Sequence, residues 1–167
     1  MTHPEASVAT AADWPEVAAL RTRVFVEEQG VPAEIERDER DATAVHALSR
    51  DSAGRVVATG RLLVGERTAT IGRMAADPAV RGRGHGRAVL DELHRQAALR
   101  GVREIALHAQ LTARGFYERA GYTAVGAVYE EAGIAHVTMT RRLADADGAD
   151  VTDRSACEKT RPVRPSE

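Results

Sequence analysis

The chain is nearly without cysteine and lysine, without long apolar runs, and almost without net charge. Its one cysteine, Cys157, rules out an intramolecular disulfide framework and a cysteine-rich metal site. The histidines are scattered and lack the close paired spacing of a zinc site, so no metal is expected. No apolar run approaches the roughly 20 residues that span a bilayer, so no membrane is expected as a partner. The first residues, Met-Thr-His-Pro-Glu, lack the basic and apolar regions of a secretory leader, and a cytoplasmic location is the default expectation. A formal net charge of −2 gives no global basic field for nucleic acid. Lys159 is the only lysine, so nearly all positive charge is arginine; biased codon usage is the plain explanation.

A length of 167 residues, 43% hydrophobic and 29% charged, suits one domain with one core. We place that domain at residues 1–143. Residues 144–167 are polar, rich in Asp and Arg, with prolines at 162 and 165 and no periodicity. Such a stretch buries too little apolar surface to offset chain entropy, and disorder is expected there. A catalytic thiol at Cys157, inside this tail, is not expected.

The rest is organised around Ile71 to Arg87. An apolar run ends in Asp77-Pro78, glycines follow at 82, 84 and 86, and a helical pattern then begins. Glycine lets a ligand approach the main chain closely. A glycine-rich loop opening a helix points several N–H groups at one spot, backed by the positive end of the helix dipole. That is an anion site suited to phosphate, with Arg81, Arg83 and Arg87 around it. It is not a P-loop, since no Gly-Lys-Ser/Thr follows. It is not the dinucleotide fingerprint either, since the spacing is Gly-x-Gly-x-Gly.

Along the chain, Ser7–Ala9 reads as a short strand. Asp13-Trp14-Pro15-Glu16 opens a helix running to about Glu28, with Asp13 as cap, and Gly30-Val31-Pro32 stops it. Glu34 to Asp41 is dense in charge and reads as a solvated loop. Strands are expected at Ala44–Leu48, Val56–Val64 and Thr68–Ala76, with turns at Asp51–Gly54 and Gly65–Arg67. Arg87–Arg100 is a helix with Val89, Leu90, Leu93 and Ala97 on one face, ended by Gly101. Arg103–Gln110 alternates as a strand. Thr112–Ala120 is a short helix, and Tyr122–Val128 and Ile134–Leu143 are the last strands, joined through Glu130–Gly133. The order is β-α-β-β-β-α-β-α-β-β.

This order and the loop Arg81-Gly82-Arg83-Gly84-His85-Gly86 together resemble the GNAT N-acetyltransferase superfamily, whose pyrophosphate loop reads Arg/Gln-x-x-Gly-x-Gly/Ala. Leu20-Arg21 through Val24-Phe25-Val26-Glu27-Glu28-Gln29-Gly30-Val31-Pro32, with Asp38 and Asp41, resembles its ElaA-like branch. So does Val128-Tyr129-Glu130-Glu131 through Gly133-Ile134 and His136. Gly115-Phe116-Tyr117-Glu118-Arg119-Ala120-Gly121-Tyr122 resembles the Phe-Tyr-x-x-x-Gly-Phe/Tyr block. Two departures are Gly115 inside the short helix and Gln110 where many relatives carry Asn. The resemblance covers roughly residues 5 to 143. It implies an α/β (α+β) acyl-CoA N-acyltransferase fold: a mixed central sheet flanked by helices, its fourth and fifth strands splayed into a cleft.

The resemblance further implies acetyl-CoA as co-substrate and an acetyltransferase acting on a small-molecule or peptide primary amine by direct attack in a ternary complex. Main-chain groups of Met74 and Ala75 would pair with pantetheine, and the N–H groups of Arg83 to Gly86 would hold the pyrophosphate. His85 would contribute its backbone rather than its ring. Tyr117 matches the tyrosine that protonates the departing thiolate in many relatives; read from the residues alone, it is a half-buried helix aromatic beside Phe116. Glu28 is the first candidate base, or a solvated helix-end carboxylate. Gln29, Tyr129 and His136 are candidates for acceptor contact, and Glu130 and Glu131 could form with Tyr129 an acidic rim for a cationic amine. His46 is a core or site histidine, and His108 faces the cleft or packs under a helix. Dimers are common in the family, and the final hairpin could supply an interface. The alternative reading is a non-catalytic acyl-CoA-binding sensor or accessory protein of the same fold.

Overall fold

Seven segments pair into one sheet, and helices cover its two faces. A computed structural model describes residues 3–143; the tail expected to be disordered, and Cys157 within it, lie outside the described residues. The strands are β1 (Ala6–Val8), β2 (Val45–Arg50), β3 (Val56–Val64), β4 (Thr68–Ala76), β5 (Glu104–Gln110), β6 (Thr123–Glu131) and β7 (Ile134–Arg142). The helices are α1 (Trp14–Arg21), α2 (Ala33–Glu36), α3 (His85–Leu99) and α4 (Arg114–Arg119). The sheet order is β1-β2-β3-β4-β5-β7-β6, antiparallel throughout except for the parallel pair β4–β5. No described helix is long and apolar enough to cross a membrane.

Because successive side chains of a strand point to opposite faces, two cores form. Ala47 and Leu48 are neighbours in β2, yet Ala47 joins the core under α3, with Val89, Leu90 and Leu93, while Leu48 joins Val17, Leu20 and Val24 of the α1 side. Leu20, Leu62, Leu90 and Leu93 are fully buried, and each contributes about 1.5–3 kcal/mol by burial.

The start of α1 differs from the expected Asp13 cap. The chain enters one turn earlier, through Ala11–Asp13, where the Asp13 carboxylate accepts from the Thr10 N–H at 2.8 Å. Past Arg21 the helix widens over Thr22–Glu28, with the Gln29 N–H reaching back five residues to the Val24 carbonyl. Such wide turns are rare and cluster at functional sites; this one presents Val24 and Phe25 to the cleft described below.

The charged segment after Pro32 is not the solvated loop its composition suggests. Arg21, only 1% exposed, donates to Glu36 at 2.6 Å and to Asp41 at 2.8 Å. Arg61 donates to both Asp38 and Asp41. Burial raises the Asp41 pKa, but hydrogen bonds from Arg21 and Arg61 outweigh it and hold the group at about 2. Three carboxylates thus lie between arginines that α1 and β3 supply from a distance. His46 belongs to this region: its Nε2 donates to the Asp41 carbonyl at 2.9 Å and its ring meets Trp14 edge-on, a packed histidine rather than a site residue.

β4 carries the irregularity that shapes the cleft. Ala75 pairs with Thr59 and Gly72 with Arg61, so Arg73 and Met74 together face Gly60. This is a β-bulge, and Arg73 takes a left-handed φ of 53° within it. The extra residue inverts the side-chain parity beyond it. Ala69 and Ile71 face the α3 core before the bulge; after it Met74 and Ala76 do, and Ala75 turns to the α1 side. Gly60 makes this geometry feasible, because a Cβ there would collide with the Met74 Sδ and press on Leu93 Cδ1 at 3.0 Å.

One buried histidine links stability to pH. Burial, and then the nearby Arg141, depress the His94 pKa from 6.5 to about 4. A depressed base means the unfolded chain binds the proton first as pH falls. The associated stability is therefore fully present above about pH 6.5 and is lost as pH falls toward 4. Urea unfolding is expected to show about 3 kcal/mol less stability at the lower limit, with a weaker slope over the same window in His94→Gln.

Candidate active site

The parallel ladder between β4 and β5 runs from Thr68–Glu104 to Ile71–Leu107 and then stops. Beyond it β4 follows β3, through Thr59–Ala75 and Ala58–Ala76, while β5 follows β7, through Gln110–His136. The two strands separate, and from Gly72 onward that edge of β4 has no strand beside it among the described residues. A cleft of about 660 Å³ opens there. Met74 and Ala75 form one wall, Leu107, His108 and Gln110 the other, and Val24, Phe25 and Val31 contribute apolar surface. An unpaired strand edge can hydrogen-bond an extended ligand as an added strand would.

At the end of β4 the chain turns through Pro78–Val80 into the glycine loop and α3. Gly84 is the N-cap residue, in a left-handed conformation with φ 95°, and has no side chain with which to cap. The first N–H groups of α3 therefore have no intrahelical acceptor. The Arg83 N–H is spent inward on the Val80 carbonyl at 3.2 Å. This corrects the expected set: the groups free to meet an anion are those of Gly84, His85, Gly86 and Arg87, not Arg83. Side-chain charge is also smaller than the sequence suggests. Arg81 is paired with Glu28 and Arg87 with Asp91, which leaves the Arg83 guanidinium without a partner among the described residues. The His85 ring points away from a ligand role, its Nδ1 lying 2.8 Å from Ser49 Oγ, which itself donates to the Glu5 carbonyl.

Glu28 requires a correction as candidate base. Both its oxygens accept from Arg81 at 2.8 Å, and it is not part of the cleft wall. Hydrogen bonds from Arg81 hold its carboxyl below the ordinary value, which makes it a weaker base. Its role is to anchor the end of the wide helical turn to the entrance of the glycine loop. The neighbouring Gln29 does line the cleft, where its Oε1 accepts from Gln110 Nε2 at 2.9 Å.

Tyr117 lies in the wall of the cleft, 7% exposed. Its ring packs edge-on against Phe116 and Tyr122. Among the described residues its hydroxyl has no hydrogen-bond partner. Burial pushes the phenol pKa up from its ordinary value, so the group stays protonated at neutral pH.

The opposite rim comes from β5 and the last hairpin. His136 is 7% exposed and lines the cleft. Its Nδ1 lies 2.7 Å from the Ile134 carbonyl. A carbonyl only accepts, so Nδ1 carries a proton, and in the neutral ring Nε2 keeps a lone pair. Tyr129 is not in the wall; it stacks on His136 and meets His108 edge-on. His108 is exposed to the cleft rather than packed under a helix, with Nδ1 3.0 Å from Glu131. Of the expected acidic rim only Glu131 reaches the wall, and it is already paired. Glu36 and Asp38 also line the cleft, but as members of the arginine network they add no net negative field. No described group of three or more acidic, histidine or cysteine side chains is arranged to hold a metal.

The comparisons with known proteins agree with this geometry. Residues 9–143 match the family model of the acetyltransferase (GNAT) domain. The chain is 32% identical over 123 residues to the uncharacterized N-acetyltransferase YjcF of Bacillus subtilis, covering 73% of this chain and 87% of that protein. An acyl-CoA N-acyltransferase structure from Pseudomonas aeruginosa superposes with a TM-score of 0.71 at 30% identity, covering 83% of this chain and 99% of that one. The Escherichia coli ElaA structure superposes with a TM-score of 0.72 at 26% identity, with the same coverage. Sheet order, splayed strands, glycine loop and family match converge on one assignment: this chain belongs to the GNAT acetyltransferase family and is an acyltransferase of that fold.

Proposed function

We propose that the protein transfers acetyl from acetyl-CoA to a primary amine by direct attack in a ternary complex. The observation that carries this reading is the Tyr117 hydroxyl, protonated and unengaged in the wall of a cleft that an unpaired strand edge also lines, with the uncapped N-terminus of α3 following the end of that strand. The Gly84–Arg87 N–H groups suit the pyrophosphate, with Arg83 adding charge. The free edge of β4 at Met74 and Ala75 suits the pantetheine amides, and a backbone N–H there would polarise the thioester carbonyl.

In the reaction the new N–C bond forms as the C–S bond breaks. Tyr117 gives its proton to the departing sulfur. The amine must lose one, and His136 Nε2 is the lone pair in the cleft best suited to accept it, directly or through a water. Gln29 and Gln110, joined across the cleft, would orient the acceptor.

Isothermal titration of acetyl-CoA into wild type and Gly86→Glu tests the loop. A Cβ at Gly86 meets only the Phe116 ring, at 3.7 Å, so the fold accommodates the change while a carboxylate enters the anion site. Binding by wild type and loss of at least about tenfold in the variant are expected. A panel of primary amines, from small aliphatic amines and amino sugars to peptide N-termini, read by thiol release, tests transfer. Binding of acetyl-CoA without turnover of any amine would overturn transfer and leave an acyl-CoA-binding role.

A further inference from the structure

Tyr117 sits on a helix that cannot orient it unaided. α4 has six residues, one of them Gly115. So short a helix is marginal on its own, and glycine costs it about 1 kcal/mol more than alanine would. A catalytic group, however, must be held to within about 0.5 Å. Something outside α4 has to fix the ring.

Next to Tyr117 lies a polar chain, buried at His94 and Tyr122 and half-buried at Arg141, for which neither the cleft nor the glycine loop has a use. Arg141 of β7 places Nη1 3.0 Å from His94 Nδ1 on α3, and the same Nη1 donates to the Ala120 carbonyl at 3.0 Å. His94 Nε2 lies 2.8 Å from the Tyr122 hydroxyl. Arginine has donors only, so Nδ1 must accept, Nε2 must carry the proton, and the Tyr122 oxygen must receive it. Arg141 therefore sets the direction of the whole chain. Tyr122 in turn holds Tyr117 twice: its N–H donates to the Tyr117 carbonyl at 3.0 Å, and its ring meets the Tyr117 ring at 5.8 Å and 76°. The Ala120 carbonyl gripped by Arg141 belongs to a residue whose own N–H also donates to the Tyr117 carbonyl.

We infer that Arg141, His94 and Tyr122 form a positioning relay that fixes the Tyr117 ring for proton donation, with His94 as its central residue. Well-packed apolar side chains could fill the same space at equal stability. They would not supply directional bonds to one ring and to the C-terminal turn of α4. The groups facing His94 are Arg141, Tyr122 and, on its own helix, Arg87 and Asp91. This inference rests on the reading of Tyr117 as the acid.

A double-mutant cycle tests it, with the amine selected by the panel and acetyl-CoA as donor. His94→Leu is expected to lower kcat by roughly 10–100-fold, the order of loss expected for a small misplacement, with the Kd for acetyl-CoA unchanged. His94→Gln, which can both accept from Arg141 and donate to Tyr122, should recover most of the rate. In a Tyr117→Phe background His94→Leu should cost nothing further. Tyr122→Phe keeps the ring, removes only the hydroxyl, and serves the same cycle if His94→Leu does not fold. A kcat unchanged in the folded variants, or losses that multiply with Tyr117→Phe, would overturn the relay while leaving the acid assignment intact. A wild-type kcat in Tyr117→Phe alone would overturn the acid assignment and the relay together.

Discussion

Replacing Tyr117 with phenylalanine is expected to lower kcat by roughly 10²–10⁴-fold, the usual weight of a positioned general acid, while the Kd for acetyl-CoA measured by titration stays the same. The substitution removes one oxygen and nothing else. The edge-on contacts to Phe116 and Tyr122 belong to the ring and survive. The hydroxyl has no partner among the described residues, so no buried group is orphaned by its loss. Stability should therefore hold, and the rate alone should fall. Burial raises the phenol above its ordinary value of 10.0, so the wild-type rate should show no alkaline loss from this group below about pH 10. A kcat within about twofold of wild type would remove Tyr117 from the acid role.

The second large effect is on stability. Arg21→Ala is expected to cost about 3–5 kcal/mol, the penalty for breaking a buried ion pair from one side, and to lower Tm by about 10 °C. Arg21 supplies four hydrogen bonds: one to the Glu36 carboxylate, one to the Glu36 carbonyl and two to Asp41. Without it Glu36, 2% exposed, keeps Arg37 at 3.2 Å and Arg73 at 3.7 Å as ion-pair neighbours, while its Oε1 already lacks a hydrogen bond. Arg21→Lys should fall between the two, since it keeps the charge but loses the fork that reaches two carboxylates. Arg114→Ala, which breaks an exposed pair with Glu118, should change little. Urea unfolding of the three variants separates these cases. Equal effects of Arg21→Ala and Arg114→Ala would show that the network is not what holds α2 to the sheet.

The consequences reach the cleft. Arg73, left-handed at the β4 bulge, donates to the Glu36 and Ile35 carbonyls and to Asp38. The bulge that opens the cleft is thus tied to the segment that the network holds. The same charges that read as an acidic, solvated stretch become an internally neutral wall, which argues against recognition of a polycation by that side.

What could be read from the sequence were the features whose physics is local. Gly82, Gly84 and Gly86 before an amphipathic helix specify a tight turn and an uncapped helix start through neighbours a few residues apart. The apolar periods place β3, β4, β5 and α3 within a residue or two of where they lie. The block around Tyr117 marks one short helix, and the order of these elements together with the glycine loop carries the family resemblance that implies the fold class. Tertiary structure decided everything that depends on a partner far along the chain. Glu28 looks like a free carboxylate until Arg81, 53 residues on, takes both its oxygens. Glu36 and Asp41 look solvated until Arg21 and Arg61 enclose them. His94, Tyr122 and Arg141 share no local pattern, and only the packing of α3, α4 and β7 makes them neighbours. The reason is the same in each case: a carboxylate, an imidazole or a phenol acquires its chemistry from burial and from the charge or donor beside it, and those are set by the fold.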